Sequence, residues 1–321
     1  MRQPTFPIVD EISPSIQDFG QDVAEGLSST PKRLSSRHFY DAHGSALFEQ
    51  ITRLPEYYLT RTEQAIFDRH AADIARAGGE TATLIEFGSG SSAKTRTLLR
   101  TVRPEVYCPI DISAEFLRLT AEALTSELDW LSVRALAAEY NDAMSLLRDF
   151  PAPRLIVFMG SNIGNFTEME AIDFLGRIAA NMDSDDRLLI GFDRLKERET
   201  IRAAYNDSQG ITAAFNKNLL ARINRELGGT FMLDEFDHQA PWLEEESRIE
   251  MRLISRRNQT ALAAALGMEF SFVEGETILT EVSHKYSDEA IERILSAAGL
   301  IETDRWSDER AWFTDAMARP K

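Results

Sequence analysis

The chain has 321 residues, 43% of them hydrophobic, which suffices for about two domains with packed cores and no stabilising cross-links. With 35 Lys and Arg against 52 Asp and Glu, its net charge of -17 repels nucleic-acid backbones and anionic membranes and leaves a small molecule as the favoured partner. The only cysteine, Cys108, excludes an intramolecular disulfide and a thiolate metal cluster. No run of about 18 apolar residues occurs, and the N-terminal MRQPTFPIVDEISPSIQDF lacks the apolar core of a signal peptide, so a monomer of the cytoplasm is expected.

In chain order, the first sixty residues precede any regular alternation. The capping-box pattern Thr60-Arg61-Thr62-Glu63 then predicts a helix over 60–79, closed by Gly78 and Gly79. Strand and helix signals alternate from there: strands over 81–87, 106–112, 131–140, 154–160 and 186–193, helices over 93–102, 113–128 and 167–182. Near-continuous apolar strands between amphipathic helices imply a mostly parallel sheet covered on both faces, with ligands at the carboxyl ends of the strands. Residues 197–227 read as one helix. Strand-like runs over 231–238, 247–256, 268–275 and 277–287 look antiparallel and belong elsewhere. A helix over 288–299 and strands over 300–306 and 311–318 return to the sheet as a hairpin. The expected division is therefore 61–195 with 287–321 as a cofactor domain, and 1–60 with 196–286 as a second, substrate-binding α+β domain forming a lid.

The segment LIEFGSGSSAKT carries the strongest chemistry. An apolar strand meets Gly88 and Gly90, which let the backbone approach a ligand at a helix N-terminus. Ser91 and Ser92 stand where a dinucleotide fingerprint places its last small residue, which disfavours a pyrophosphate. Glu86, just before the glycines, suits a cationic or hydroxyl-bearing head group such as that of S-adenosylmethionine (SAM). Asp111 closes the second strand, where a carboxylate accepts ribose hydroxyls; a helix N-terminal acid is the competing reading. Glu139 and Tyr140 offer an acceptor and a ring to an adenine, with helix capping as the competitor. Lys94 is unfavourable at a helix N-terminus and suits a ligand carboxylate, or is a solvated lysine. Together these positions indicate an α/β class I methyltransferase with a Rossmann-like, mostly parallel sheet and an antiparallel C-terminal hairpin. SAM is the donor and S-adenosylhomocysteine the product.

The segments HFYDAHGSALFEQITRLPEYYLTRTE, IEFGSGSSAKTR, VFMGSNIGNFT, AYNDSQGITAAFNKNLLARINREL, RIEM and TILTEVSHKYS carry a more specific likeness. Over nearly its whole length the sequence resembles the histidine-specific Nα-methyltransferases of ergothioneine biosynthesis, which convert histidine into its trimethylated betaine, hercynine. The resemblance implies a discontinuous second domain. It implies that Tyr57, Asn165 and Tyr205 hold the amino acid's backbone groups and place its amine, and that Tyr40 lies near the amine. Tyr40, Tyr57 and Asn165 are thus the catalytic candidates. It further implies that Met251, Glu281 and Ser283 contact the imidazole. The family's Gly-Asp-Phe after the third strand is Ala138-Glu139-Tyr140 here, which puts the adenine contact of Glu139 in question.

Other readings exist for the same residues. Tyr57 and Phe215 are ordinary core or turn residues in the absence of the resemblance, and Glu281, on a strand read as Leu279 in, Thr280 out, Glu281 in, is otherwise a structural ion-pair member. The five histidines lack ligand spacing, so no metal is expected. Rival functions are Nα-methylation of tryptophan or tyrosine, a dinucleotide-dependent oxidoreductase, and a non-catalytic SAM-binding protein. Glu281 and Met251 argue against an indole or phenol.

Overall fold

The computed structural model describes residues 8–12, 16–90 and 93–321. Its strands and α-helices run, in chain order, β1 (Ile8–Ile12), α1 (Ile16–Ser28), β2 (Lys32–Arg33), α2 (Ala42–Ile51), α3 (Tyr58–Gly78), β3 (Thr83–Phe87), α4 (Ala93–Val102), β4 (Val106–Asp111), α5 (Ala114–Glu127), β5 (Ser132–Ala138), α6 (Tyr140–Ala143), β6 (Arg154–Phe158), α7 (Glu168–Asn181) and β7 (Arg187–Asp193). There follow α8 (Arg198–Tyr205), α9 (Ile211–Leu227), β8 (Phe236–Gln239), β9 (Trp242–Leu243), β10 (Arg248–Ser255), β11 (Gln259–Ala263), β12 (Met268–Phe272), β13 (Thr277–His284), α10 (Asp288–Ala297), β14 (Leu300–Ser307) and β15 (Phe313–Pro320). The first of two units comprises Met1–Ser13, Leu59–Leu195 and Lys285–Lys321; the second comprises Pro14–Tyr58 and Lys196–His284.

The first unit is built on an eight-stranded sheet in the order β1-β5-β4-β3-β6-β7-β15-β14. The pairs from β1 to β7 are parallel, and β15 runs antiparallel to both β7 and β14. Strand alternation sorts the apolar residues onto two faces. Ile85, Phe87, Cys108, Ile156, Phe158 and Ile190 pack with α7 and α10. Leu84, Tyr107, Leu155, Val157 and Leu189 pack with α3, α4 and α5. Every residue of β3 and β6 is buried, and each leucine- or isoleucine-sized side chain so placed contributes about 1.5–3 kcal/mol. Thr167 closes a capping box with Glu170 at the start of α7.

The second unit holds a smaller sheet in which β10 pairs antiparallel with β13, β8 and β9, and β2 joins β13 in parallel. A separate hairpin, β11 with β12, completes it. Helix α9 buries Phe215, Leu219, Leu220 and Ile223, and it also buries two asparagines with work to do. Asn216 donates to the carbonyl of Arg252 on β10, and Asn218 donates to Asp41, whose carboxylate caps α2 through the N–H of Gly44.

Four features depart from the sequence reading. Residues 197–227 form two helices, because Asp207 accepts the N–H groups of Gln209, Ile211 and Thr212 and so caps α9 afresh, with Gly210 at φ +75°. Strand β1, grouped in the sequence with residues 1–60, pairs with β5 in the first unit. Helix α3 begins at Tyr58, so Thr60 and Glu63 lie inside it and form no capping box. Thr280, expected to point outward, is buried, for a reason taken up below. Ser91 and Ser92 lie outside the described residues. Among the described residues no helix is long and apolar enough to cross a membrane.

Candidate functional site

In the first unit the site is built around the turn after β3. Gly88 and Gly90 have φ of +70° and +46°, the left-handed region in which a Cβ is strained. A Cβ on Gly88 would lie 2.5 Å from the hydroxyl of Tyr140 and 2.8 Å from Nδ2 of Asn162, so only glycine fits. The N–H of Gly88 donates to the carbonyl of Ile110, and that of Gly90 donates to Asp111 Oδ2 at 3.1 Å. Asp111 accepts a second N–H, from Ser113, at 3.2 Å, and burial pushes its carboxyl up from the ordinary aspartate range. The carboxylate expected at the ribose thus also clamps the glycine turn. This close-fitted backbone, with an acceptor at the end of the neighbouring strand, fits an adenosyl cofactor.

Glu86 differs from its expected part. It is buried, and its carboxylate accepts the hydroxyls of Thr95 (2.7 Å) and Tyr107, so it faces the protein behind the turn and ties β3 to α4 and β4. Desolvation pushes its pKa up to about 7, against the opposing pull of those hydrogen bonds. Tyr140 also departs from a ring laid on a base. Phe87 and Phe158 stand nearly perpendicular to it at centroid distances of 5.6 and 5.5 Å, its hydroxyl abuts Gly88, and burial raises its pKa. It is the wall beneath the turn. Glu139 occupies the N-cap position of α6, yet its side chain makes no capping bond.

Lys94, in the first turn of α4, forms an ion pair with Glu63 of α3. The Glu63 carboxylate is fully buried and also accepts the N–H of Gly160, just after β6, at 2.8 Å. An ammonium has three donors, so this pair leaves Lys94 able to meet a ligand carboxylate as well. Beside Glu63, on β15, Asp315 is fully buried with no hydrogen-bond partner on either oxygen. Desolvation first, and the charge of Glu63 second, push its carboxyl well above the usual range, which favours the protonated form. The sequence reading missed this pair. Its signal was present: Leu59, Glu63, Ile66 and Phe67 follow the i, i+4, i+7, i+8 spacing of a buried helix stripe, and an acid on that stripe requires a partner.

Asn165 ends a short 3-10 turn over Asn162–Asn165 and is half-buried. That turn follows Ser161 (φ +57°), whose hydroxyl accepts the N–H of Asp193, and the hydroxyl of Tyr286 donates to the carbonyl of Ile163. It is thereby fixed from the strands behind it.

In the second unit, Met251 pairs with Glu281 and Ile249 with Ser283 across β10 and β13, which puts all four on one face. The hydroxyl of Tyr205, at the end of α8, donates to Ser283 Oγ at 2.8 Å. Met251, Ser283 and Tyr205 are buried, and Glu281 is half-buried. Behind them His238 ties three elements. Its Nδ1 accepts from Asn216 Nδ2 at 2.8 Å, and its Nε2 donates to the Tyr205 carbonyl at 2.9 Å. These partners fix a neutral tautomer, and burial lowers the ring's pKa accordingly. Tyr40 and Tyr57 flank Phe48, with centroid distances of 5.6 and 6.2 Å, and Tyr40 also meets Phe215 at 5.8 Å. Since Phe215 and Asn216 are adjacent on α9, one helix supports both the tyrosines and the strand face.

A family model described as histidine-specific methyltransferase, SAM-dependent, matches residues 19–320. Over 302 residues the chain is 42% identical to histidine N-alpha-methyltransferase of Mycolicibacterium smegmatis, covering 93% of this chain and 94% of that protein. The protein of that name from Mycobacterium tuberculosis is 41% identical over 304 residues, with the same coverage of 93% and 94%. Ergothioneine biosynthesis protein 1 of Neurospora crassa is 30% identical over 301 residues, which span 91% of this chain and 34% of that longer protein.

Proposed function

Since the chain belongs to the family of SAM-dependent, histidine-specific methyltransferases, we propose that it trimethylates the α-amino group of L-histidine to hercynine, the first step of ergothioneine biosynthesis. The observation that supports this most is the pairing of Met251 with Glu281 and of Ile249 with Ser283. It gives one strand face a carboxylate acceptor, a hydroxyl and an apolar floor, the set that an imidazole with its N–H, its second nitrogen and its ring face requires. In this reading Glu281 accepts the imidazole N–H, Ser283 with Tyr205 meets the other polar edge, and Met251 sets the pocket's width. A ligand lacking that N–H would forgo a charge-assisted hydrogen bond to Glu281, which discriminates more strongly than shape does.

Tyr57, Asn165 and Tyr205 are assigned to the amino acid's backbone groups, and Tyr40 to the amine. On the cofactor side, Gly88 and Gly90 admit the backbone approach, Asp111 takes the ribose, Glu139 the adenine amino group, and Lys94 the carboxylate. SAM supplies an activated methyl group on a sulfonium whose leaving thioether is neutral. The protein's task is alignment, and a well-oriented encounter removes several kcal/mol of barrier. The amine must be unprotonated; where its pKa lies one or two units above ambient pH, this costs about 1.4–2.7 kcal/mol, so a strong base is unnecessary. Asn165 and the tyrosine hydroxyls orient the lone pair by accepting the remaining N–H bonds. After three methyl groups no lone pair is left, and the reaction ends. The same reading has the protein acting as a monomer on the free amino acid in the cytoplasm.

Mass spectrometry after incubation with SAM and an equimolar mixture of amino acids tests this. Histidine is expected to be depleted and its trimethylated form to accumulate. Methylation of a different amino acid would leave the cofactor assignment standing and overturn the pocket assignment.

A further inference from the structure

The face that carries Glu281 exists because β13 contains one residue too many. From its C-terminal end, β13 pairs His284, Ser283, Val282 and Glu281 with Arg248, Ile249, Glu250 and Met251 in regular order. The next pair is Leu279 with Arg252, followed by Ile278 with Leu253, so Thr280 has no counterpart on β10. Side chains alternate along a strand, and Ile278 and Glu281, three positions apart, would face opposite ways in a regular one. The extra residue cancels that parity. Ile278 and Leu253, both fully buried, and Glu281 and Met251 come to lie on one face.

Continuing the register of Ile278 and Leu279 without the bulge would place Glu281 opposite Glu250. That position is already filled by an acid on the other face, where Glu250 is clamped by Arg248 (Nε, 2.9 Å) and Arg252 (Nε, 2.7 Å). Two carboxylates directly opposed are destabilising. The bulge therefore decides whether Glu281 meets the Met251 face or a second carboxylate. Thr280 closes it: the side chain is buried, and its hydroxyl donates to the carbonyl of Met251 at 2.9 Å, tying the unpaired residue to the strand position that partners Glu281.

We infer that Thr280 is a positioning residue for substrate selectivity, holding Glu281 and Met251 in the register that recognises the imidazole. The inference rests on the assignment of Glu281 to the imidazole N–H. Thr280→Val keeps the shape and removes the donor. It is expected to raise KM for histidine about tenfold, to change kcat less than twofold, and to leave the SAM dissociation constant unaltered. Thr280→Ser, which keeps the hydroxyl, should restore KM to within about twofold. In a Glu281→Ala background Thr280→Val should add clearly less than it costs alone. An unchanged KM in Thr280→Val, or a full additional loss in the double variant, overturns the inference while the effect of Glu281→Ala alone upholds the assignment of Glu281. If Glu281→Ala itself leaves KM unchanged, that assignment fails, and the inference fails with it. Should Thr280→Val not fold, as judged by circular dichroism, Thr280→Cys, a weaker donor of similar size, is read by the same criteria.

Discussion

The two units arrange their candidate residues in opposite ways. In the first, the functional residues stand at strand ends, where parallel strands give way to turns, and buried acids hold those turns from behind: Glu86 through Thr95 and Tyr107, Glu63 through Lys94 and the N–H of Gly160. In the second, Met251, Glu281 and Ser283 stand in mid-strand, and a register shift between β10 and β13 aims them. Backbone shape should therefore dominate cofactor binding, and single side chains should dominate amino-acid recognition.

The largest test of that contrast is Gly88→Ala. A left-handed φ costs about 1–2 kcal/mol for alanine, and the 2.5 Å approach to Tyr140 requires a side chain to shift, so a total of about 3–4 kcal/mol is expected. Calorimetric SAM affinity should fall more than about a hundredfold. A near-normal affinity would break the comparison.

Next is Glu86. Folded, it keeps its proton to about pH 7, whereas the unfolded carboxyl loses it near 4.5. Between those values the folded state binds more protons, so stability falls as pH rises, by about 3 kcal/mol over the window. Urea unfolding at pH 5 and pH 8 should reveal that loss in the parent protein and its absence in Glu86→Gln. Equal pH dependence in both would mean that Glu86 is charged throughout.

For the second unit, Glu281→Ala is expected to cost about 2 kcal/mol, roughly a thirtyfold fall in kcat/KM for histidine, without a change in SAM affinity. A parallel loss of SAM affinity would count against side-chain recognition as its sole role.

The smallest effect is predicted for Asp315→Asn. An acid whose surroundings favour its protonated form, replaced by a neutral amide, should alter thermal stability by no more than about 1 kcal/mol. Glu63→Gln should cost only about 1 kcal/mol, since Asp315, relieved of a neighbouring charge, can ionise toward Lys94. The double variant should then lose clearly more than the sum. Additivity would sharpen the picture differently, making Glu63 the only acid that serves Lys94.

The same contrast explains what the sequence discloses. Near-continuous apolar strands between amphipathic helices make most of 81–193 legible, because the strand ends coincide with turn signals and the long helices with apolar stripes. The parallel sheet and its antiparallel C-terminal pair follow from that pattern. Strand β1 is not legible: Ile8–Ile12 contains two acids in five residues and gains its place by pairing with β5. The break at 206–210 was legible in Asn206-Asp207-Ser208-Gln209-Gly210, a run of turn formers overridden by the helical signals on either side. Glu63 shows how a local motif misleads, since T-x-x-E fits a cap, while the stripe around it points to the interior. The bulge at Thr280 has no local signature at all. A threonine suits any strand, and its extra count appears only when the partner strand is laid beside it.

The order of strands also bears on how the protein is made. Strand β15 enters between β7 and β14 and is synthesised after both. Until the ribosome has released Phe313–Pro320, β7 is an edge whose residues from Leu188 to Phe192 have no neighbour on one side. Synthesis of the whole segment Lys196–His284 falls within that interval. An apolar, unpaired edge is a template for wrong pairing, so the nascent chain is most prone to aggregate after β7 has emerged and before β15 has.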